Sequence, residues 1–282
     1  MTAHAAAVQS ADGVIKNVVL VHGLYADGSS WAKVIPLLQA RGLHVTAVQN
    51  PTTSLQDDAD AVRRVLALQD GPTVLVGHSY GGMVISETGV DPKVRALVFV
   101  AARAPDAGED YPALAKKYPA GPASAGLQWA PDGFGALSEQ AFLRDFAGDL
   151  PPDEARVYYA VQQRIGKAIP QARTTAAAWR QKPSWYAVST EDRTINPDLE
   201  RYMAKRIGAT TIELKSSHVS MLSHPREIAD LILQAANAKS AGAQDFIFRT
   251  SRSAARPGPR RTPAACPHRR RRSHPASARW HR

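Results

Sequence analysis

The sequence predicts an α/β protein: a doubly wound, mostly parallel sheet of about six strands with an inserted, mostly helical cap. Two observations carry this. Short apolar runs alternate with stretches of helical periodicity from residue 17 to 101, and again from 184 to 238. That alternation is the pattern of strands joined by crossover helices. Between the two stretches, residues 103–182 break the rhythm with many Pro, Gly and aromatic residues. A length of 282 residues suits one such unit with an insertion.

Taken in order, Asn17 to Gly23 is a short apolar run ending in Gly, a buried strand. Ser29 to Arg41 places Trp31, Val34, Ile35, Leu37 and Leu38 at helical spacing, with Gly42 as the stop. His44 to Gln49 reads as the second strand. Ser54 to Gln69 suits a helix through Leu55, Ala59, Val62, Val65, Leu66 and Leu68, and Ser54 with Asp57 makes a capping-box-like start. A strand at Thr73 to Val76, a helix from about Tyr80 and a strand at Arg95 to Ala101 follow.

The segment 103–182 carries Tyr111, Tyr118, Trp129, Phe134, Phe142, Phe146, Tyr158, Tyr159 and Trp179, with helical patches at Glu139 to Phe146 and Pro152 to Gln163. A cap and a set of ordinary connecting helices differ mainly in where those aromatics point. The alternation resumes with a strand at Ser184 to Ser189, a helix at about Pro197 to Ile207, a strand at Thr210 to Lys215 and a closing helix at Pro225 to Ala238. The expected organisation is an N-terminal extension (1–16), a core (17–102 and 183–239), the cap (103–182) and a disordered Arg/Pro-rich tail (240–282).

Composition narrows the function classes. The net charge is +10, but residues 249–282 hold eleven Arg and no Lys, Asp or Glu, which leaves residues 1–248 at −1. The basicity belongs to one tail, so no nucleic-acid partner is expected for the core. The cluster His268 to Arg272 could bind polyanions, which keeps a surface-binding function as a distant alternative. The single cysteine, Cys266, gives neither a disulfide framework nor a Cys-based metal site within one chain. No dinucleotide fingerprint appears, and no cofactor or metal is expected. No apolar run approaches the roughly 20 residues of a membrane span. The N-terminal MTAHAAAVQSADG lacks the charged start and apolar stretch of a signal peptide, which implies a cytoplasmic protein. Ala3-His4-Ala5 would fit the end of a truncated precursor, giving a periplasmic or secreted alternative.

The chemistry gathers at predicted strand ends. In Gly77-His78-Ser79-Tyr80-Gly81 a serine sits between a strand and a helix. A sharp bend there lifts the middle residue out of the sheet, and it needs small residues two before and two after. Gly77 and Gly81 fill both positions, which makes Ser79 a candidate nucleophile. The first strand ends in His22-Gly23-Leu24. Acyl transfer needs preorganised N–H donors for an oxyanion; Tyr80 and Leu24 can each give one. His22 and Gly23 shape that turn, and His78 supports the bend.

A serine also needs a general base and an acid to orient it. Of nine His, those not in tails, turns or a strand start are His218 and His224. His218 follows the last strand on the ligand-binding edge and is favoured; His224 before Pro225 suits a helix-start residue. For the acid, Glu191 or Asp192 follows the strand ending at Ser189, with Asp192 favoured.

With HG at 22–23, GHSYGG at 77–82, EDR at 191–193 and SSH at 216–218, residues 17 to 238 resemble the α/β-hydrolase superfamily. The early HG strand and the length of the cap are similar to small bacterial esterases related to plant methylesterases and hydroxynitrile lyases. One departure is the loop 49–54, QNPTTS, where relatives commonly keep a glycine-rich loop. The resemblance implies ester hydrolysis through an acyl-enzyme on Ser79, with His218 as base, Asp192 orienting it and Leu24 and Tyr80 holding the oxyanion. The aromatic cap suggests a small-molecule ester substrate with a small to medium apolar acyl or aryl group. Lyase chemistry on the same triad is the alternative. It would need a cation over the nucleophile, for which the cap offers Lys116, Lys117 and Lys167.

Overall fold

The computed structural model describes residues 14–238. Most of the N-terminal extension and the Arg/Pro-rich tail, with Cys266, lie outside the described residues. The main sheet is parallel throughout. Its strands are β1 (Asn17–Val21), β2 (His44–Val48), β3 (Thr73–His78), β4 (Val94–Val100), β8 (Ser184–Ser189) and β9 (Thr210–Leu214). They lie in the order β2-β1-β3-β4-β8-β9. Each matches a strand read from the sequence, with ends moved by no more than two residues.

The four inner strands are buried on both faces, which is why they read as continuous apolar runs rather than alternating ones. One face carries Val18, Leu20, Val74, Val76 and Val98 and packs on Trp31, Leu38, Ile228 and Ile232. The other carries Val19, Val21, Leu75, Leu97 and Phe99 and packs on Val62, Leu66, Met83, Ile85 and Met203. Each such side chain contributes about 1.5–3 kcal/mol when fully buried, so the strand ends that carry the site rest on a rigid base.

Up to β4 the helices follow the sequence reading with one difference. Residues 29–41 form a 3₁₀ turn, Gly28–Trp31, and then a short helix α1, Ile35–Gln39. Asp27 caps the 3₁₀ turn, accepting the Ser29 N–H at 2.8 Å. Pro36 then has no N–H to continue an earlier helix, and α1 restarts with proline in its first turn. Helix α2 (Leu55–Ala67) has Ser54 at its N-cap, accepting the Asp57 N–H at 3.1 Å. The Asp57 carboxylate takes the hydroxyls of Thr53 and Ser54, so only half of the expected capping box is made. Helix α3 (Gly81–Thr88) follows β3.

Between β4 and β8 the expected mostly helical cap is instead mixed. It holds α4 (Tyr111–Ala115), α5 (Glu139–Ala141, continued as a π turn over Phe142–Phe146) and α6 (Pro152–Ala160). It also holds an antiparallel sheet of β5 (Leu127–Trp129), β6 (Phe134–Leu137) and β7 (Ile165–Gly166). The turn between β5 and β6 puts Gly133 at φ +83, and Asp132 accepts the Phe134 N–H at 3.0 Å. Strands of two to four residues are too short to show a period of two, and their Pro-Asp-Gly turn reads as loop. After β8 come α7 (Pro197–Arg206), α8 (Ser220–Ser223) and α9 (Pro225–Asn237). No helix among the described residues is long and apolar enough to cross a membrane.

Candidate active site

The chain leaves β1 toward β2 on one side of the sheet, and leaves β3 toward β4 on the other. That reversal opens a crevice at the carboxyl ends of β1 and β3, the place where ligands bind in such sheets. Among the described residues, four non-glycine residues have a left-handed backbone: Tyr25, Thr52, Ser79 and Ala101, at φ +60, +54, +53 and +43. Each follows one of the first four strands at this same edge. Strained backbone gathers at functional sites because the surroundings must over-determine it.

The surroundings of Ser79 do so. Its N–H donates to the Val100 carbonyl at 3.0 Å, and its own carbonyl accepts from Gly82 and Arg103 at 3.0 and 2.9 Å. The glycines serve the close approach foreseen for a sharp bend. A Cβ at Gly77 would stand 2.6 Å from the Gly81 carbonyl oxygen, and one at Gly81 would stand 2.7 Å from that of Val21. Gly23 lies against the bend itself: a Cβ there would be 2.7 Å from Ser79 Cβ. The His22-Gly23 turn and the serine turn are therefore in direct contact.

His218 and Asp192 reach the same point from β9 and β8. The Asp192 carboxylate accepts from His218 Nδ1 at 2.5 Å, which leaves Nε2 to accept the Ser79 hydroxyl at 2.8 Å. Asp192 is further fixed by the N–H groups of Thr194 and Ile195, both on Oδ1, at 2.6 and 2.9 Å. His218 is fully buried, and the Phe146 ring lies 5.2 Å from its own. Ser79, His218 and Asp192 are thus brought together. The alternatives are not: Glu191 is exposed and pairs loosely with Lys215, and His224 caps α9 with Nδ1 on the Ser223 hydroxyl.

The supporting histidines are braces. His22 Nδ1–H donates to the Gly23 carbonyl at 2.8 Å, and burial pushes its pKa down, so it stays neutral. His78 donates from Nε2 to the backbone carbonyl of His218 at 2.9 Å, and burial holds it well below the ordinary histidine range. The backbone N–H groups of Leu24 and Tyr80 have no acceptor among the described residues. Among the described residues, no cluster of three or more His, Cys, Asp or Glu is placed to hold a metal ion.

A family model described as the alpha/beta hydrolase family matches residues 18–231. The chain belongs to that family. Salicylic acid-binding protein 2 of Nicotiana tabacum is 27% identical over 267 residues, covering 79% of this chain and 97% of that protein. The pyrethroid hydrolase of Sphingobium wenxiniae is 25% identical over 252 residues, covering 79% of this chain and 89% of that protein. The crystal structure of polyneuridine aldehyde esterase shares the fold, with a TM-score of 0.68 at 24% identity over 78% of this chain and 98% of that one.

The site of this α/β hydrolase also includes residues that the motifs do not mark. A narrow apolar crevice, little wider than a water molecule, is lined by Tyr25, Phe142, Phe146, Tyr158, Val219 and Leu222, and Phe146 carries it up to His218. Three of the nine aromatics of 103–182 thus face the site, while Trp129 is exposed and Trp179 is buried with its indole N–H on the Pro105 carbonyl. Asp58 is fully buried on α2, accepting the Tyr80 hydroxyl at 2.8 Å and the Thr52 N–H at 2.7 Å. Burial raises its carboxyl to about 6. Thr52 in turn accepts the Gly166 N–H and donates its hydroxyl to the Arg164 carbonyl, so the loop 49–54 ties the serine turn to β7. A charged residue on the apolar stripe of Leu55, Ala59, Val62 and Leu66 was the available signal for Asp58.

Proposed function

We propose that this α/β hydrolase is a serine esterase that cleaves carboxylic esters of small to medium apolar acyl or aryl groups through an acyl-enzyme. The observation that carries the reading is the unbroken chain from Ser79 through His218 to Asp192, at 2.8 and 2.5 Å. In this mechanism His218 Nε2 takes the Ser79 proton as Oγ bonds to the acyl carbon. The carbonyl electron pair moves to oxygen, which the Leu24 and Tyr80 N–H groups receive. Collapse breaks the ester bond, and the departing alkoxide takes the proton from His218. Water, deprotonated by His218, then attacks the acyl-enzyme and releases the acid with Ser79 restored.

The apolar side chains that gather beside His218, Phe142, Phe146 and Leu222 among them, support an apolar group on the substrate. The names of the relatives support an ester as the bond cleaved. The lyase alternative gains nothing from its candidate cations: Lys116, Lys117 and Lys167 are exposed, and the Lys167 stem passes 3.4 Å from the Cβ position of Gly133. The test is turnover of a series of p-nitrophenyl esters by the wild type and Ser79→Ala. The reading predicts measurable hydrolysis by the wild type, and a loss of about 10⁴-fold or more in the variant. Wild-type rates in Ser79→Ala would refute it.

A further inference from the structure

Helix α7 begins shortly after the loop that carries Asp192, with Asn196 accepting the Asp198 N–H and Pro197 in the first turn. That turn points Glu200 inward. Its side chain is fully buried beside Leu199, Met203 and Ala204, and the proposed mechanism does not use it. Oε2 accepts the Ser189 N–H at 3.0 Å. Oε1 is enclosed and meets no N–H or O–H donor among the described residues. Ser189 joins this carboxyl to the acid of the site: its N–H goes to Glu200, and its carbonyl accepts the Asp192 N–H at 3.2 Å, so the orphaned Glu200 oxygen is enclosed next to Asp192, whose charge acts on it.

Two neighbouring carboxyl groups, both buried out of water, do not both ionise. One proton between them lets one donate a hydrogen bond to the other. Asp192 already accepts three N–H groups, from Thr194, Ile195 and His218, all of which favour its charged form. Glu200 accepts one. The charge therefore settles on Asp192 and the proton on Glu200. The other groups acting on Glu200 do not reverse this. Tyr111 and Tyr186 are buried neutral phenols, and the Arg201 guanidinium is engaged with Asp198 and Glu213 at 2.8–2.9 Å.

We propose that Glu200 is a positioning residue of the triad: a neutral carboxylic acid whose O–H donates to the Asp192 carboxylate and holds it, singly charged, toward His218. The proposal rests on the reading of Ser79, His218 and Asp192 as a triad. Burial, and then the Asp192 charge, push the Glu200 carboxyl well above its usual range, in the same direction as the geometry. Glu200 withdraws part of the Asp192 charge from the imidazole, so it tempers the basicity of His218.

Two measurements on the full chain test this. The infrared difference between wild type and Glu200→Gln at pH 8 should show the carbonyl stretch of a protonated carboxylic acid. A carboxylate band in its place would overturn the proposal. This readout does not depend on activity, so it stands apart from the esterase reading, which fails separately if the wild type hydrolyses no ester. The second measurement is the pH profile of kcat/KM. Glu200→Gln keeps an uncharged donor and should keep kcat within about threefold with the acid limb in place. Glu200→Leu removes the donor and should move the acid limb up by about half to one pH unit. Glu200→Met serves if the leucine variant fails to fold. A purely structural role would lower the melting temperature and leave the acid limb where it is, and that result would overturn the proposal.

Discussion

At the scale of single residues, a few tenths of an ångström decide whether the turns of the site fit together. Gly23 offers the sharpest case, because a Cβ there falls 2.7 Å from Ser79 Cβ and 3.1 Å from the His78 carbonyl oxygen. Gly23→Ala must push the first turn away from the serine and displace the Leu24 N–H with it. A displacement of about 1 Å costs on the order of 10²-fold. Steady-state kinetics should show that loss in kcat, and an unimpaired Gly23→Ala would remove the oxyanion role from this turn. The choice between the two acids is decided in the same way. Asp192→Asn should lower kcat by about 10⁴-fold; Glu191→Gln, exposed and outside the chain of hydrogen bonds, should leave it unchanged. Equal losses in both variants would contradict the assignment.

These residues were legible because their chemistry dictates spacing. A bend that lifts Ser79 needs glycines at 77 and 81, and a base and an acid must follow strands at the same edge. Phe146 and Glu200 were not legible from motifs. Phe146 reaches His218 from the cap, where no period fixes direction. Glu200 sits on the stripe of Leu199, Met203, Ala204 and Ile207, where its pattern alone says only that a carboxyl is turned inward.

At the scale of elements, the inner strands were readable because burial on both faces leaves continuous apolar runs. The segment 29–41 and the cap were not, because proline at 36 and strands of two to four residues defeat periodicity. Helix α2 links the readable and the unreadable parts. Its Asp58 binds Tyr80 of the serine turn and Thr52 of the loop that holds β7. Burial raises the folded-state carboxyl of Asp58 from 3.8 to about 6. A raised value means that the group's contribution to stability is full below the unfolded pKa and is lost as pH rises to about 6. The loss is on the order of 3 kcal/mol. Urea unfolding from pH 3.5 to 7 should show the stability of Asp58→Asn falling less across this window than that of the wild type, whatever its absolute value. Parallel curves for the two proteins would refute the raised pKa.

At the scale of the whole molecule, the sheet order brings the ends of β1, β3, β8 and β9 to one edge, and the cap supplies an apolar wall above it. The near-neutral charge of residues 1–248 fits a site for uncharged esters rather than for polyanions. The central claim is that Ser79 carries the acyl group between the two halves of the reaction. The mass of the protein, quenched in acid during turnover of p-nitrophenyl butyrate and followed by peptide mapping, tests this directly. The account predicts one butyryl increment, on the peptide that contains Ser79, and none in Ser79→Ala. Turnover without any increment, or an increment on another residue, would contradict it.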